Sequence, residues 1–102
     1  MEAQPQHMKA LERANHVRLE RAAVKRAVAR GDRLASAVVM DNPFCFESCT
    51  VMELLTSQRR WGRTRARKFL MLMPNIGESK AIGSLTYRQR KYLVEQLRKM
   101  GL

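Results

Sequence analysis

An all-α fold is predicted: a long N-terminal helix packed on about four shorter ones. Three observations point to it. Apolar residues recur at intervals of three and four, no stretch alternates as a strand does, and the chain from Gln6 to Arg30 contains neither Gly nor Pro. The length of 102 residues suits a single domain over residues 1–102, with a modest core that needs no disulfide or structural metal. Within it, residues 1–8 are expected to be flexible, about 6–30 to form the long helix, and about 32–102 to hold the shorter ones.

The long helix is rich in Ala, Leu, Glu, Lys and Arg, the strongest helix formers, and Gly31 supplies its stop. Ala14, Val17, Val24 and Val28 share its apolar face. Arg21 falls inside that stripe, either packing its stem and pairing its head, or reaching a ligand. Asp32 is placed to cap a short helix through Met40, which Asp41-Asn42-Pro43 ends, since the residue before Pro is pushed out of helical geometry. Phe44 to Ser48 reads as a connector. A further short helix starts at a Ser48 or Thr50 cap and carries Val51, Met52, Leu54 and Leu55 inward. The next begins after Gly62, with Ala66, Phe69, Leu70 and Met73 on one face. Pro74-Asn75-Ile76-Gly77 breaks the pattern, and a loop runs to Thr86, where Thr-Tyr-Arg-Gln has capping-box spacing. The last helix should bury Leu93, Leu97 and Met100 before Gly101.

Charge narrows the function. Lys and Arg number 20 against 9 Asp and Glu, a net +11, so the natural partners are polyanions. No run approaches the roughly 18 apolar residues of a membrane span, and the N-terminus lacks a signal-peptide core, so a soluble intracellular protein is expected. Cys45 and Cys49 match neither a zinc nor a redox spacing and read as small core hydrophobes; no cofactor or metal is expected.

The informative stretch runs from Arg59 to Lys68. Arg59, Arg60, Arg63, Arg65, Arg67 and Lys68 straddle a Gly62 turn into a helix whose first amides, with Thr64 among them, would face an anion. Gly62 serves there if the backbone takes positive φ or must touch a sugar-phosphate strand; a plain C-terminal helix cap is the alternative. Trp61 is either a core anchor for the hairpin or a wedge against nucleic acid. Lys80, before the last helix, and Arg88 and Arg90, in its first turn, could form a second phosphate clamp or an ordinary solvated face. Basic residues at a helix start oppose the dipole unless an anion offsets them.

These stretches resemble the actinobacterial integration host factors, small nucleoid-associated proteins. Ala10-Leu11-Glu12-Arg13-Ala14, Glu20-Arg21-Ala22 and Val24-Lys25 fit the family's first helix. Leu54-Leu55 followed by Gly62, Arg65, Ala66 and Arg67 looks like its glycine-turn signature, and Ser79-Lys80 with Ile82, Leu85 and Gln89 like its last loop and helix. The resemblance spans about residues 9 to 100. It implies a helix-two-turns-helix (S13-like) module that grips double-stranded DNA by its backbone. It further implies DNA compaction or bending, assistance to an integrase or recombinase nucleoprotein complex, and a cytoplasmic place on the nucleoid. Two departures stand out. Arg59-Arg60 replaces a usual Pro-Gly, and a loop that usually holds three Arg reads Lys80, Ala81 and Gly83.

Rival classes fit less well. A structured-RNA (ribosomal) binder would also suit the charge, but no RNP-type sheet or KH-type loop is visible. A DNA-modifying enzyme would need an acid/base or metal constellation that the sequence lacks. A membrane-surface amphipathic helix at residues 6–30 is opposed by Glu12 and Glu20.

Overall fold

Helix α1, Gln6–Arg30, is stopped where Gly31 takes φ +80°, the left-handed conformation that costs glycine nothing. The computed structural model describes residues 6–102, with side chains from Met8. Most of the stretch expected to be flexible, residues 1–5, lies outside them, while 6–8 already belong to α1. Four shorter helices follow: α2 (Ala35–Asp41), α3 (Val51–Ser57), α4 (Arg63–Leu70) and α5 (Tyr87–Lys99). Among the described residues there is no strand, only an isolated antiparallel bridge between Thr50 and Ala81.

The expected Asp32 cap is not made. Residue Leu34 occupies the N-cap of α2 without a side-chain bond, and Asp32 instead accepts from Arg30 Nε at 2.9 Å. The amide of Ser36, in the first turn of α2, finds its acceptor elsewhere, donating to the Leu102 carbonyl at 3.0 Å while Ser36 Oγ donates to the same atom at 3.1 Å. The connector after Pro43 is a 3-10 turn, Phe44–Phe46, which buries Cys45 and Phe46 and leaves Phe44 exposed. Both other caps form as read. Thr50 Oγ1 accepts from the Glu53 amide at 3.1 Å, and Thr86 and Gln89 close a reciprocal capping box on α5.

The core lies between α2 and α5, which pack most extensively, and between α3 and α4. Leu54, Leu55, Phe69, Leu70, Leu93 and Leu97 are all buried, as their spacing predicts. Met100 is 46% exposed, a correction: α5 ends at Lys99, Val94 is buried instead, and Leu102 turns back against the core. The loop to Thr86 is more than a link, because Met73, Ile76, Ile82 and Leu85 are buried. It lies along residues 47–52, with Met52, Val51 and Ile82 amides donating to the carbonyls of Glu78, Lys80 and Cys49 at 3.0, 2.8 and 2.8 Å. Gly83 closes this pairing, its amide on the Glu47 carbonyl at 2.9 Å. A Cβ there would stand 2.9 Å from both Glu47 Cβ and its carbonyl oxygen. Position 83 therefore excludes a side chain, including the Arg that the resemblance suggests. Gly83→Ala is expected to lower stability by about 1–3 kcal/mol in denaturant melts; an unchanged midpoint would show that the loop shifts freely.

Helix α1 docks through its second half, against the 3-10 turn and α3. Val28 is buried and Val24 and Val17 are partly so, whereas every residue from Met8 to His16 is exposed, Ala14 of the expected apolar stripe among them. Two cations clamp the docked half. Arg21 Nε donates to the Cys45 carbonyl at 3.0 Å and its Nη2 donates to Ser48 Oγ, so the stem packs and the head is used internally. Lys25 Nζ meets Glu53 Oε2 at 3.3 Å. Burial pushes the Glu53 carboxyl upward, but the hydrogen bond from the Cys49 thiol and the Lys25 charge outweigh it and leave it below its ordinary value. Cys49 is pushed up to about 12 by burial and then by that carboxylate, which keeps it a neutral thiol. Cys45 and Cys49 are both free and buried.

Candidate nucleic-acid interface

The hairpin between α3 and α4 is built on an internal anchor. After Ser57, Gln58 is extended and its amide donates to the Leu55 carbonyl at 3.3 Å; the Trp61 amide then returns to the Gln58 carbonyl at 3.1 Å. Trp61 is 6% exposed and sets its ring at 77° to Phe69, with centroids 5.6 Å apart. Of the two readings of Trp61, the core anchor is correct; a ring this deep cannot serve as a wedge or stacking platform.

Arg59 and Arg60 project from the tip of this turn, and Arg60 has φ +68°. At the position where the resemblance implies a glycine, this chain places a cation in the left-handed region. A non-glycine residue there is strained by about 1 kcal/mol, a cost often retained where a side chain has a task. Arg60→Gly is expected to raise stability by about 0.5–1 kcal/mol in a thermal melt. A fall would show instead that the Arg60 side chain holds the turn.

Gly62 does not need positive φ. It is the N-cap of α4 in extended backbone, at φ −94° and ψ −179°, with no side-chain cap, and a Cβ there would meet nothing within 4 Å. No internal contact demands glycine at this N-cap, and it is not the C-terminal cap that the sequence offered as the alternative, since α3 ends at Ser57. Past it, the amides of Arg63, Thr64 and Arg65 precede the first intrahelical donor, the Ala66 amide, which reaches the Gly62 carbonyl at 3.1 Å. Helix α4 buries Ala66, Phe69 and Leu70 and turns Arg63, Thr64, Arg65, Arg67 and Lys68 to solvent.

The neighbouring loop brings an acid that the sequence reading missed. Glu78 takes Arg67 Nε at 2.9 Å and lies below its ordinary value, first through that hydrogen bond and then through the charges of Arg67 and Arg63. Arg67 is therefore partly neutralised within the chain, and nothing in the spacing of eleven residues announces the pair. Arg63, Glu78 and Ser79 also line a groove of about 280 Å³ with Thr50, Glu53 and Thr56. Lys80 is half-buried nearby in the same loop, its carbonyl held by Val51.

The second clamp does not assemble as expected. Arg90 turns inward, donating from Nη1 to the Val39 carbonyl and from Nη2 to that of Ile82, both at 2.7 Å, because its face of α5 packs on α2. Arg88 stays exposed and lines a different cavity with Pro74, Asn75 and Tyr92. Arg59 lines a third, beside Arg30, Arg33 and Leu102. Among the described residues no group of three or more His, Cys, Asp or Glu is arranged to hold a metal ion. Likewise, no helix is long and apolar enough to cross a membrane.

A scan of protein-family models and a search of curated proteins each found no match to this chain. Among solved structures, sIHF bound to an 8 bp palindromic DNA matches with a TM-score of 0.73 and 25% identity, over 84% of this chain and 98% of the other. The chain is similar to sIHF. The agreement extends over nearly all of sIHF, so the arrangement of helices is shared as a whole. Such likeness at low identity is what a helical core permits, since spacing and volume of apolar residues fix the packing while surface residues vary.

Proposed function

We propose that this protein is a non-enzymatic architectural protein that binds double-stranded DNA by its phosphate backbone with little sequence preference. The observation that carries the reading is its likeness to sIHF, whose structure was solved on a DNA duplex. The basic hairpin supports it. Arg59 and Arg60 at the tip, Gly62 as the point of closest approach, and Arg63, Thr64 and Arg65 at the start of α4 are the proposed contacts, with Arg67, Lys80 and Arg88 flanking them. Those groups seek phosphates and offer no recognition helix for base edges. Compaction or bending of DNA, assistance to a recombinase complex and a cytoplasmic place on the nucleoid complete the proposal.

Gly62→Val tests it cleanly, because the fold has room for the side chain. The variant should melt within about 1 kcal/mol of wild type, as expected for a substituted N-cap, yet bind duplex DNA several-fold more weakly. Equal affinity for both proteins would remove Gly62 from the contact. If a structured RNA displaces the duplex at equimolar concentration, the partner is RNA and the proposal fails.

A further inference from the structure

Trp61 is buried, yet a surface cation lies over its ring. The Arg65 guanidinium carbon lies 4.6 Å from the ring centroid, and Phe69 meets the indole from another side in an edge contact. Arg65 is itself exposed, and it sits in the first turn of α4, three residues beyond the Gly62 cap. A guanidinium stacked on an aromatic ring loses little hydrogen-bonding capacity. Its N–H groups lie in its own plane and point outward past the ring edge, while the stack removes rotamer freedom that an anion would otherwise have to freeze.

We infer that Trp61 is a positioning residue, which acts through Arg65 by holding its guanidinium ready for a phosphodiester at the start of α4. This rests on the DNA-binding reading and deepens it. Arg65 differs here from its neighbours. Arg67 is engaged by Glu78, and Arg90 by two backbone carbonyls, whereas the ring contact leaves the donors of Arg65 available. Lysine could not substitute, since an ammonium has no plane to stack and no paired donors. Within the hairpin the buried core thus sets the orientation of a surface cation.

A double-mutant cycle reads this directly. Trp61→Leu, Arg65→Ala and the double variant would be titrated with a short duplex over a salt series, with folding checked by circular dichroism. Trp61→Leu should weaken binding about three- to fivefold, the scale of a cation–π contact. In the Arg65→Ala background the same change should do almost nothing. Trp61→Phe retains a ring face and should recover most of the loss, which also covers the case in which Trp61→Leu fails to fold. Equal losses from Trp61→Leu in both backgrounds, or equal weakening by Phe and Leu, would overturn the inference while leaving DNA binding intact. A folded wild-type protein with no affinity for duplex at low salt would overturn the function itself, and this inference with it.

Discussion

Changing Arg60, Arg63 and Arg65 together to alanine should flatten the log–log salt dependence of duplex binding by about two to three, one for each phosphate contact removed. A wild-type slope near −4 to −5 is expected if about five phosphates are neutralised. At moderate salt the triple variant should then bind about one to two orders of magnitude more weakly, the largest functional loss foreseen for any hairpin change. Its stability in a thermal melt should fall by no more than about 1 kcal/mol, the loss of the Arg65 contact with the Trp61 ring, because all three side chains are exposed and the left-handed strain at position 60 is not worsened by alanine. The comparison is Arg13, Arg18 and Arg26 on α1, also exposed and also changed to alanine. Should that variant lose most of the binding while the hairpin variant keeps it, the DNA surface lies on α1 and the proposed site is wrong.

The largest stability effect is expected from a residue that the sequence assigned to a connector. Phe46 is fully buried in the 3-10 turn on which α1 rests. Phe46→Ala should cost about 3–5 kcal/mol by equilibrium urea unfolding. Small domains have about 5–15 kcal/mol in total, so the variant should be close to the edge of folding at room temperature. A loss below about 1 kcal/mol would mean that the turn is loosely packed and that α1 docks without it.

Periodicity made the helices readable, since Leu54, Leu55, Phe69, Leu70, Leu93 and Leu97 stand at spacings that only a helix brings to one face. Thr50 and Thr86 were readable as caps because their partners lie three residues on, within the reach of one turn. What escaped depended on distant partners. The cap expected from Asp32 is not made because α2 starts two residues later, with Leu34 at its N-cap, and the Ser36 amide takes its acceptor from Leu102, far along the chain. Phe46, Ile76, Ile82 and Leu85 are core residues without helical spacing, buried by a loop that pairs with residues 47–52. In the site, the cluster of cations was plain in the sequence, but their individual states were not. Arg90 anchors two carbonyls, Arg67 is paired with Glu78 and Arg65 lies on Trp61, three different environments for one residue type.

The two clamps on α1 divide it into unequal halves. Arg21, Lys25 and Val28 tie down the second half, while Met8 to His16 are all exposed and continue the helix with little burial. A helical end of that length is marginal in water, because propagation onto an existing helix is only weakly favourable and little burial adds to it. Backbone amides along α1 should therefore lose their protection from deuterium in a graded order. Exchange should begin at the open end and stop near Arg21, while the amides around Val28 should exchange only with global unfolding.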